Sequence, residues 1–406
     1  MKKLLFGLMM LPMLLVGCDD SSTVLGDDGK DGNDGNDNPG GTPSETVEYK
    51  LDKDYVVVAH GGETFDITVT ANCKYDILCD GWIKDLSGNL FAAVRPTVKS
   101  FSVGRNTAGK EREGYIIFTF HTPDGDKDIN VTVHQAYAPA EAGEVEGDWR
   151  NYDFVHHSLF LEFTGTWCGF CPLMARSVER VEKLYPDRFY CIAMHGGGSD
   201  LDFGSTDYFD GVYKLKSNYP RGVVDGRIKI EKIDYAPGLD EDIANAFKYT
   251  EETYPTVTGV SINSTLDDNQ LHVDATVYFK APGAYKVYAM LLESGIYTNQ
   301  KTYVDGADEQ YIPNWLNNNV ARMMLTANMG QSYNLLQETD EADFSWDKTV
   351  KPEWNADNLS ILVWVERDYG ELPRNQSSDL TNLNTFVDNC TIAPVGEKYT
   401  LKVIKK

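Results

Sequence analysis

The sequence predicts a multidomain chain of mixed class: a β-sandwich, then an α/β unit, then a second β-sandwich. Three observations predict it. Apolar and polar residues alternate over Phe65–Ala71 and again over Ile129–Val133, the period-two pattern of half-buried strands. Between Leu159 and Tyr185 an apolar run, a tight turn and an amphipathic helix follow one another, with a Cys-x-x-Cys pair at the turn. From residue 255 onward strand-like runs return, separated by Asp268-Asn269 and Pro282-Gly283 turns. A chain of 406 residues has room for about three domains.

Residues 1–17 read as a targeting signal. Lys2 and Lys3 precede the apolar run Leu4–Val16, which is too short to span a bilayer as a helix. Leu15-Val16-Gly17-Cys18 resembles the bacterial lipobox. That implies cleavage before Cys18, acylation of that cysteine and an outer-membrane lipid anchor. Residues 18–45 form an acidic tether: Asp19, Asp20, Asp27, Asp28, Asp31, Asp34 and Asp37 stand among Gly, Asn and Ser and can bury no core. Acidic residues directly after such a cysteine resemble the export signal of surface lipoproteins in the Bacteroidetes, which implies display at the cell surface; a spacer facing the periplasm is the alternative. The formal charge is −25, and loss of Lys2 and Lys3 with the signal makes it more negative. Such a chain repels nucleic acid and anionic head groups.

Residues 46–137 read as an all-β sandwich. Tyr115–Phe120 is a third strand-like run, and Gly61-Gly62, Asp80-Gly81 and Asp124-Gly125 supply turns. Asp80-Gly81-Trp82-Ile83, Gly104-Arg105-Asn106, Arg112–Ile116 and Val131–Gln135 together resemble the BACON domain, an Ig-like module of Bacteroidetes surface proteins. The resemblance implies an Ig-like sandwich that binds carbohydrate or mucin, or serves as a spacer. Trp82 is the candidate sugar platform, with a place in the core as the other reading. Cys73 and Cys79 would lie about 20 Å apart along a straight strand, beyond disulfide reach. They can pair only across a turn at Lys74–Asp76. Residues 138–150 read as a linker.

Residues 151–254 carry the α/β pattern. Met174, Val178, Val181 and Tyr185 recur at helical spacing, while Arg176, Glu179, Arg180, Glu182 and Lys183 fall elsewhere. Pro172 is tolerated only in a first turn, so the helix begins at about Cys168–Pro172. This puts Cys168 at the exposed helix end and Cys171 one turn inward. Free N–H groups and the helix dipole there favour a thiolate, making Cys168 the attacking sulfur and Cys171 the resolving one. Arg188–Met194 reads as a second buried strand, parallel to the first through a right-handed crossover. Tyr219-Pro220 precedes Gly222–Arg227, a strand entering an Asp-Gly hairpin turn. Asp240–Tyr254 is a last helix, capped by Asp.

Leu161-Glu162-Phe163, four residues before the Cys168–Cys171 pair, together with Tyr219–Arg227, resembles the thioredoxin superfamily. The resemblance implies a central thioredoxin-like domain. In it Glu162 is the buried acid that relays the inner cysteine's proton, Pro220 is a cis-proline against the pair, and Trp167 belongs to the same catalytic set. A zinc site normally needs four ligands, and the chain offers one Cys pair with His156-His157 and His195 at no set spacing. No metal and no cofactor are expected. Cys191 reads as a buried apolar thiol; a Cys191–Cys390 bridge would tie two domains together.

Residues 255–406 read as the second sandwich, with strand-like runs at Gly259–Ile262, Leu271–Phe279, Tyr285–Glu293, Asn319–Met324, Leu359–Glu366 and Tyr399–Ile404. Trp315, Trp346 and Trp354 read as core or surface aromatics. Phe163–Pro172, Tyr219–Arg227, Leu291–Ile296 and Asn319–Leu325 make residues 151–404 resemble the Omp28-related outer-membrane lipoproteins of Bacteroidetes, whose activity is poorly defined. Two functions compete. One is thiol–disulfide exchange with a protein thiol or disulfide of the envelope. Gly169-Phe170 holds no basic residue, so the potential is expected nearer about −270 mV than about −120 mV. The other is a non-enzymatic surface binding or scaffold lipoprotein, for carbohydrate or protein, in which the pair is a structural disulfide.

Overall fold

The structure is a computed structural model that describes residues 47–87, 96–137, 142–215, 218–233, 235, 237–303, 310–370 and 380–404. The targeting signal, Cys18 and the acidic tether lie outside the described residues. The chain divides into two compact units. One takes residues up to 56 with 64–102 and 115–132; the other takes 57–63, 103–114 and 133 onward.

The N-terminal β-region holds two four-stranded sheets. One runs Tyr49–Leu51, Glu63–Ala71, Thr97–Val103, Ile83–Asp85, and the other Tyr55–Val58, Gly125–Gln135, Arg112–Thr122, Lys74–Cys79. Ile67, Val69, Phe101, Ile116, Phe118 and Val131 are buried, as the alternation requires. Trp82 is half-buried, next to buried Ile83. Lys74–Cys79 is one continuous strand, so the turn that would bring Cys73 to Cys79 is not there, and both are free thiols.

The expected central α/β thioredoxin-like domain does not exist as a separate body. Strands hold 52% of the described residues and helices 13%. Three α-helices occur among them: α1 (Cys171–Leu184), α2 (Thr206–Tyr213) and α3 (Gly238–Thr253). The α/β segment contributes four strands to a nine-stranded sheet and the C-terminal segment the other five. The order is Ile228–Ile230, Arg221–Val224, Ser158–Thr164, Phe189–His195, Val320–Met324, Gly283–Glu293, Leu359–Asp368, Thr385–Pro394, with Gln331–Leu335 also paired to Gly283–Glu293. Ser158–Thr164 and Phe189–His195 are parallel, as the crossover requires. The two halves join where Ala193 pairs with Val320 in parallel and its N–H donates to the Asn319 carbonyl at 2.9 Å.

This sheet buries both faces. Leu159, Leu161, Phe163, Met290, Leu362 and Trp364 point to one face and pack with Phe209 and Tyr213 of α2. On the other face, at the C-terminal end, Val287, Ala289, Leu291, Ile361 and Val363 meet Val260, Val273 and Val277. Those come from a four-stranded sheet of Asp340–Thr349, Gln270–Phe279, Thr258–Asp267 and Lys398–Tyr399. A β-sandwich is therefore present, but it shares its larger sheet with the α/β segment. Trp315 and Trp346 are buried and Trp354 is half-buried. Within the stretch read as a linker, Ala142–Glu144 pairs with Lys402–Ile404.

Pro172 sits in the first turn of α1, where its missing N–H costs nothing. α3 starts two residues before the expected boundary, after Pro237 and without a side-chain cap. Asp240 does not cap it; buried in the first turn, it accepts Nε of Arg180 on α1 at 2.6 Å. Asp225 and Gly226 both have positive φ, 50° and 67°, as the hairpin turn demands. Asp225 is fully buried and accepts from Leu159 N–H, Ser158 Oγ and Thr250 Oγ1, which ties the turn to the sheet and to α3.

Gly222 lies opposite Glu162 in register, and a Cβ there would come within 2.1 Å of the Phe160 ring. Phe160 is fully buried and cannot swing away. Gly222→Ala should cost about 1–3 kcal/mol, read as a lower urea midpoint at unchanged m-value.

Candidate functional site

The Ser158–Thr164 strand, interior to the sheet between Arg221–Val224 and Phe189–His195, turns through 165–170 and enters α1 at Cys171. Cys168 and Cys171 form a disulfide with their Cα atoms 5.4 Å apart. Position in the helix suggests an exposed Cys168, but it is 5% exposed and Cys171 2%. The cover comes from far along the chain. Ile296–Lys301 and Tyr311–Asn317 form a two-stranded ribbon. Lys301 N–H donates to the Thr166 carbonyl and Tyr303 N–H to the Gly169 carbonyl, each at 2.8 Å. Gln300 Nε2 donates to the Cys168 carbonyl at 2.9 Å and the Gly165 carbonyl at 3.3 Å. The Tyr303 ring lies on Gly169, where a Cβ would meet it at 2.3 Å.

Trp167 and Phe170, beside the cysteines, stay exposed. Phe170 meets Tyr303 edge-on, and Trp167 stacks on Tyr219 with ring centroids 5.3 Å apart. Arg221 pairs with Phe163 in the sheet, so Tyr219-Pro220 reaches the cysteine turn; this peptide bond is cis.

Behind the disulfide is a cavity of about 60 Å³. Cys171, Glu162, Glu179, Glu182, Cys191 and His195 line it, and Gln300 and Asn317 to Asn319 complete the wall. Glu162 is buried, its Oε1 without a hydrogen-bond partner. Burial, then the nearby Glu179 and Glu182 charges, push its carboxyl up to about 8 against a Thr164 hydrogen bond. Burial and Glu179 push Glu182 to about 7, opposed by the Cys191 backbone hydrogen bond. Burial and the Arg322 charge hold His195 down at about 4. At neutral pH the cavity therefore presents Cys171 with a carboxylic acid and a neutral imidazole. A neutral acid there can protonate a departing thiolate, and its carboxylate can take the proton back.

Of the residues that sequence reasoning names, Cys168 and Cys171 are disulfide-bonded, Glu162 shares a cavity with Cys171, and Trp167 stacks on Tyr219, which precedes Pro220. Sequence reasoning missed Glu182, Gln300 and the Asn317–Asn319 corner. Glu182 had a signal: with Ala175, Val178 and Glu179 it shares the helix face that begins at Cys171. Among the described residues no three His, Cys, Asp or Glu are placed to hold a metal ion. Cys191 and Cys390 are buried free thiols and form no bridge.

Residues 207–378 match the family described as Outer membrane protein Omp28. That match contains Pro220 and the ribbon but begins after the cysteine pair. No curated protein matches the chain in sequence. Among solved structures, the chain is similar to HBP35 of Porphyromonas gingivalis, at 14% identity over 60% of this chain and 77% of that one, with a TM-score of 0.44. It is similar to an Agrobacterium tumefaciens protein at 11% identity, over 60% of this chain and 96% of that one, with a TM-score of 0.36. It also resembles a Bacteroides ovatus GH5 xyloglucanase solved with a heptasaccharide, at 15% identity over 30% and 27% of the two chains, with a TM-score of 0.20.

The raised Glu162 value has a sign for stability. The unfolded chain releases this proton near the ordinary carboxylate value, the folded chain only near 8. The folded state thus binds more protons between those values, and its stability falls as pH rises across them. Glu162→Gln should flatten part of that fall: equal to the parent at pH 4 and more stable at pH 9 in urea titrations at both pH values.

Proposed function

We propose that this chain is an outer-membrane lipoprotein, anchored through acylated Cys18, displayed on its acidic tether, and active in thiol–disulfide exchange with envelope or surface proteins. The lipobox-like Leu15–Cys18 and the family match over residues 207–378 support the membrane part. One observation carries the chemical part: a disulfide sulfur and an uncharged carboxyl with an unpartnered oxygen share one cavity. Leaving a buried polar group unsatisfied costs roughly 1–3 kcal/mol. A disulfide that is only a staple has no use for such a group.

In the oxidising direction a partner thiolate attacks Cys168 Sγ. The Cys168–Cys171 bond breaks, Cys171 keeps the bonding pair, and Glu162 supplies its proton. A second partner thiolate attacks the partner sulfur of the mixed disulfide and releases Cys168 as a thiolate. The partner leaves with a disulfide, and the protein keeps two electrons and two reduced cysteines. In reverse, Glu162 as carboxylate takes the Cys171 proton so that Cys171 can resolve the mixed disulfide.

The second reading is a binding or scaffold lipoprotein with a structural disulfide, and with half-buried Trp82 as the candidate sugar contact. The ribbon hydrogen-bonded across the cysteine turn favours it.

Equilibration of the full chain against a glutathione series, followed by thiol alkylation and mass measurement, separates the two. Exchange predicts a potential close to about −270 mV. A value below about −300 mV selects the structural disulfide.

A further inference from the structure

The carboxyls around the cavity lie at graded depth. Glu179 is exposed, Glu182 half-buried and Glu162 buried. Glu179 and Glu182 lie three apart on the α1 face that also carries Cys171, and all four side chains line the same cavity. Glu182 is held in place by Asn319 Nδ2 at 3.4 Å and by the Cys191 backbone N–H. A cavity of about 60 Å³ has room for water, which needs about 10–15 Å³ of such space. Glu162 is buried and lines this space.

We propose that Glu182, with Glu179 at the mouth, is the proton relay that connects Glu162 and Cys171 to solvent. This rests on the exchange reading of the same site. When Glu162 gives its proton to Cys171 Sγ, Glu182 replaces it, and Glu182 is recharged from water at Glu179. On reoxidation the proton returns by the same path. No other oxidant or reductant enters the step, because the relay moves only the proton that accompanies the partner's electrons.

The surroundings suit a relay. From Phe189–His195 the cavity receives Cys191 and His195; burial pushes the Cys191 thiol far above its usual value and keeps His195 neutral. From the ribbon and its corner come Gln300 and Asn317 to Asn319, which do not titrate. Arg322 is turned to Glu293 at 2.8 Å, and Arg176 lies over the Trp315 ring. Burial raises both the Glu162 and the Glu182 carboxyl, to about 8 and about 7.

The test is the rate at which dithiothreitol reduces, and oxidised glutathione reoxidises, the Cys168–Cys171 pair in the full chain from pH 5 to 9. A relay changes the rates in both directions without changing the equilibrium. Glu182→Gln should slow reduction and reoxidation alike by roughly tenfold or more, leave the glutathione equilibrium within twofold, and move the pH profile. Glu182→Asp should recover most of the rate, and Glu179→Gln should slow it less. Wild-type rates and pH profile in Glu182→Gln would overturn the relay while leaving exchange intact. So would a rate change in one direction only, with the equilibrium shifted to match. A wild-type pair inert to both reagents across the pH range removes the exchange reading and the relay with it.

Discussion

The corner at Asn317, Asn318 and Asn319 determines how the molecule is put together. Asn317 Nδ2 closes the ribbon on the Ile296 carbonyl at 3.0 Å and on Thr298 Oγ1 at 2.9 Å. Asn319 takes a left-handed conformation, φ 51°, which Asn tolerates better than most residues. Its N–H meets Ser294 Oγ and its carbonyl accepts from Ala193. The chain therefore leaves the ribbon and enters the large sheet within two residues. Val320 then pairs beside Ala193, and the ribbon immediately before it carries Gln300 and Lys301, which bond the cysteine turn. The same asparagines form a wall of the acid-lined cavity.

The features legible in the sequence are those with a local physical cause. Pro172 fixes the start of α1 because a proline has no N–H to lose there. Asp225-Gly226 fixes a hairpin because both positions need positive φ. Glu162 and the cysteines are legible through a short motif whose parts are neighbours in the chain. Pairing between Ala193 and Val320 has no such signature. Phe189–His195 is largely buried on both faces and Val320–Met324 only in its first two residues; neither run names its partner, and separate central and C-terminal domains are the natural reading. Exposure of Cys168 failed for the same reason: helix position is local, whereas the covering Gln300 and Tyr303 lie far along the chain. Glu182 was missed because helical periodicity sorts residues by polarity, and a glutamate facing a small polar cavity scores as solvent-facing.

Three cations lie near the acid cavity: Arg180 pairs with Asp240, Arg322 with Glu293, and Arg176 lies over the Trp315 ring. None of the three is among the residues lining the cavity. For Glu162 and Glu182 burial outweighs the hydrogen bonds from Thr164 and from the Cys191 backbone, and their carboxyls are raised toward the protonated state. A single lysine on the cavity face of α1 would remove that state and leave Glu162 an ordinary ion-paired carboxylate.

Burial of both sulfurs would slow the proposed exchange without forbidding it. Among the described residues the ribbon's two strands pair only with each other, and Tyr297 and Tyr311 in it and Tyr303 beside it are more than half exposed. Its polar hold on the cysteine turn consists chiefly of the Lys301 and Tyr303 N–H bonds and the Gln300 side chain. At about 0.5–1.5 kcal/mol for each such bond, releasing them costs a few kcal/mol, below the roughly 5–15 kcal/mol of global unfolding. Local opening of that order is ordinary for elements with few buried apolar contacts. Trp315 of the ribbon is buried against Arg176. Under the proposed exchange, the cover would favour a partner able to displace Tyr303 from Gly169 while resting on Trp167 and Phe170 over a small thiol.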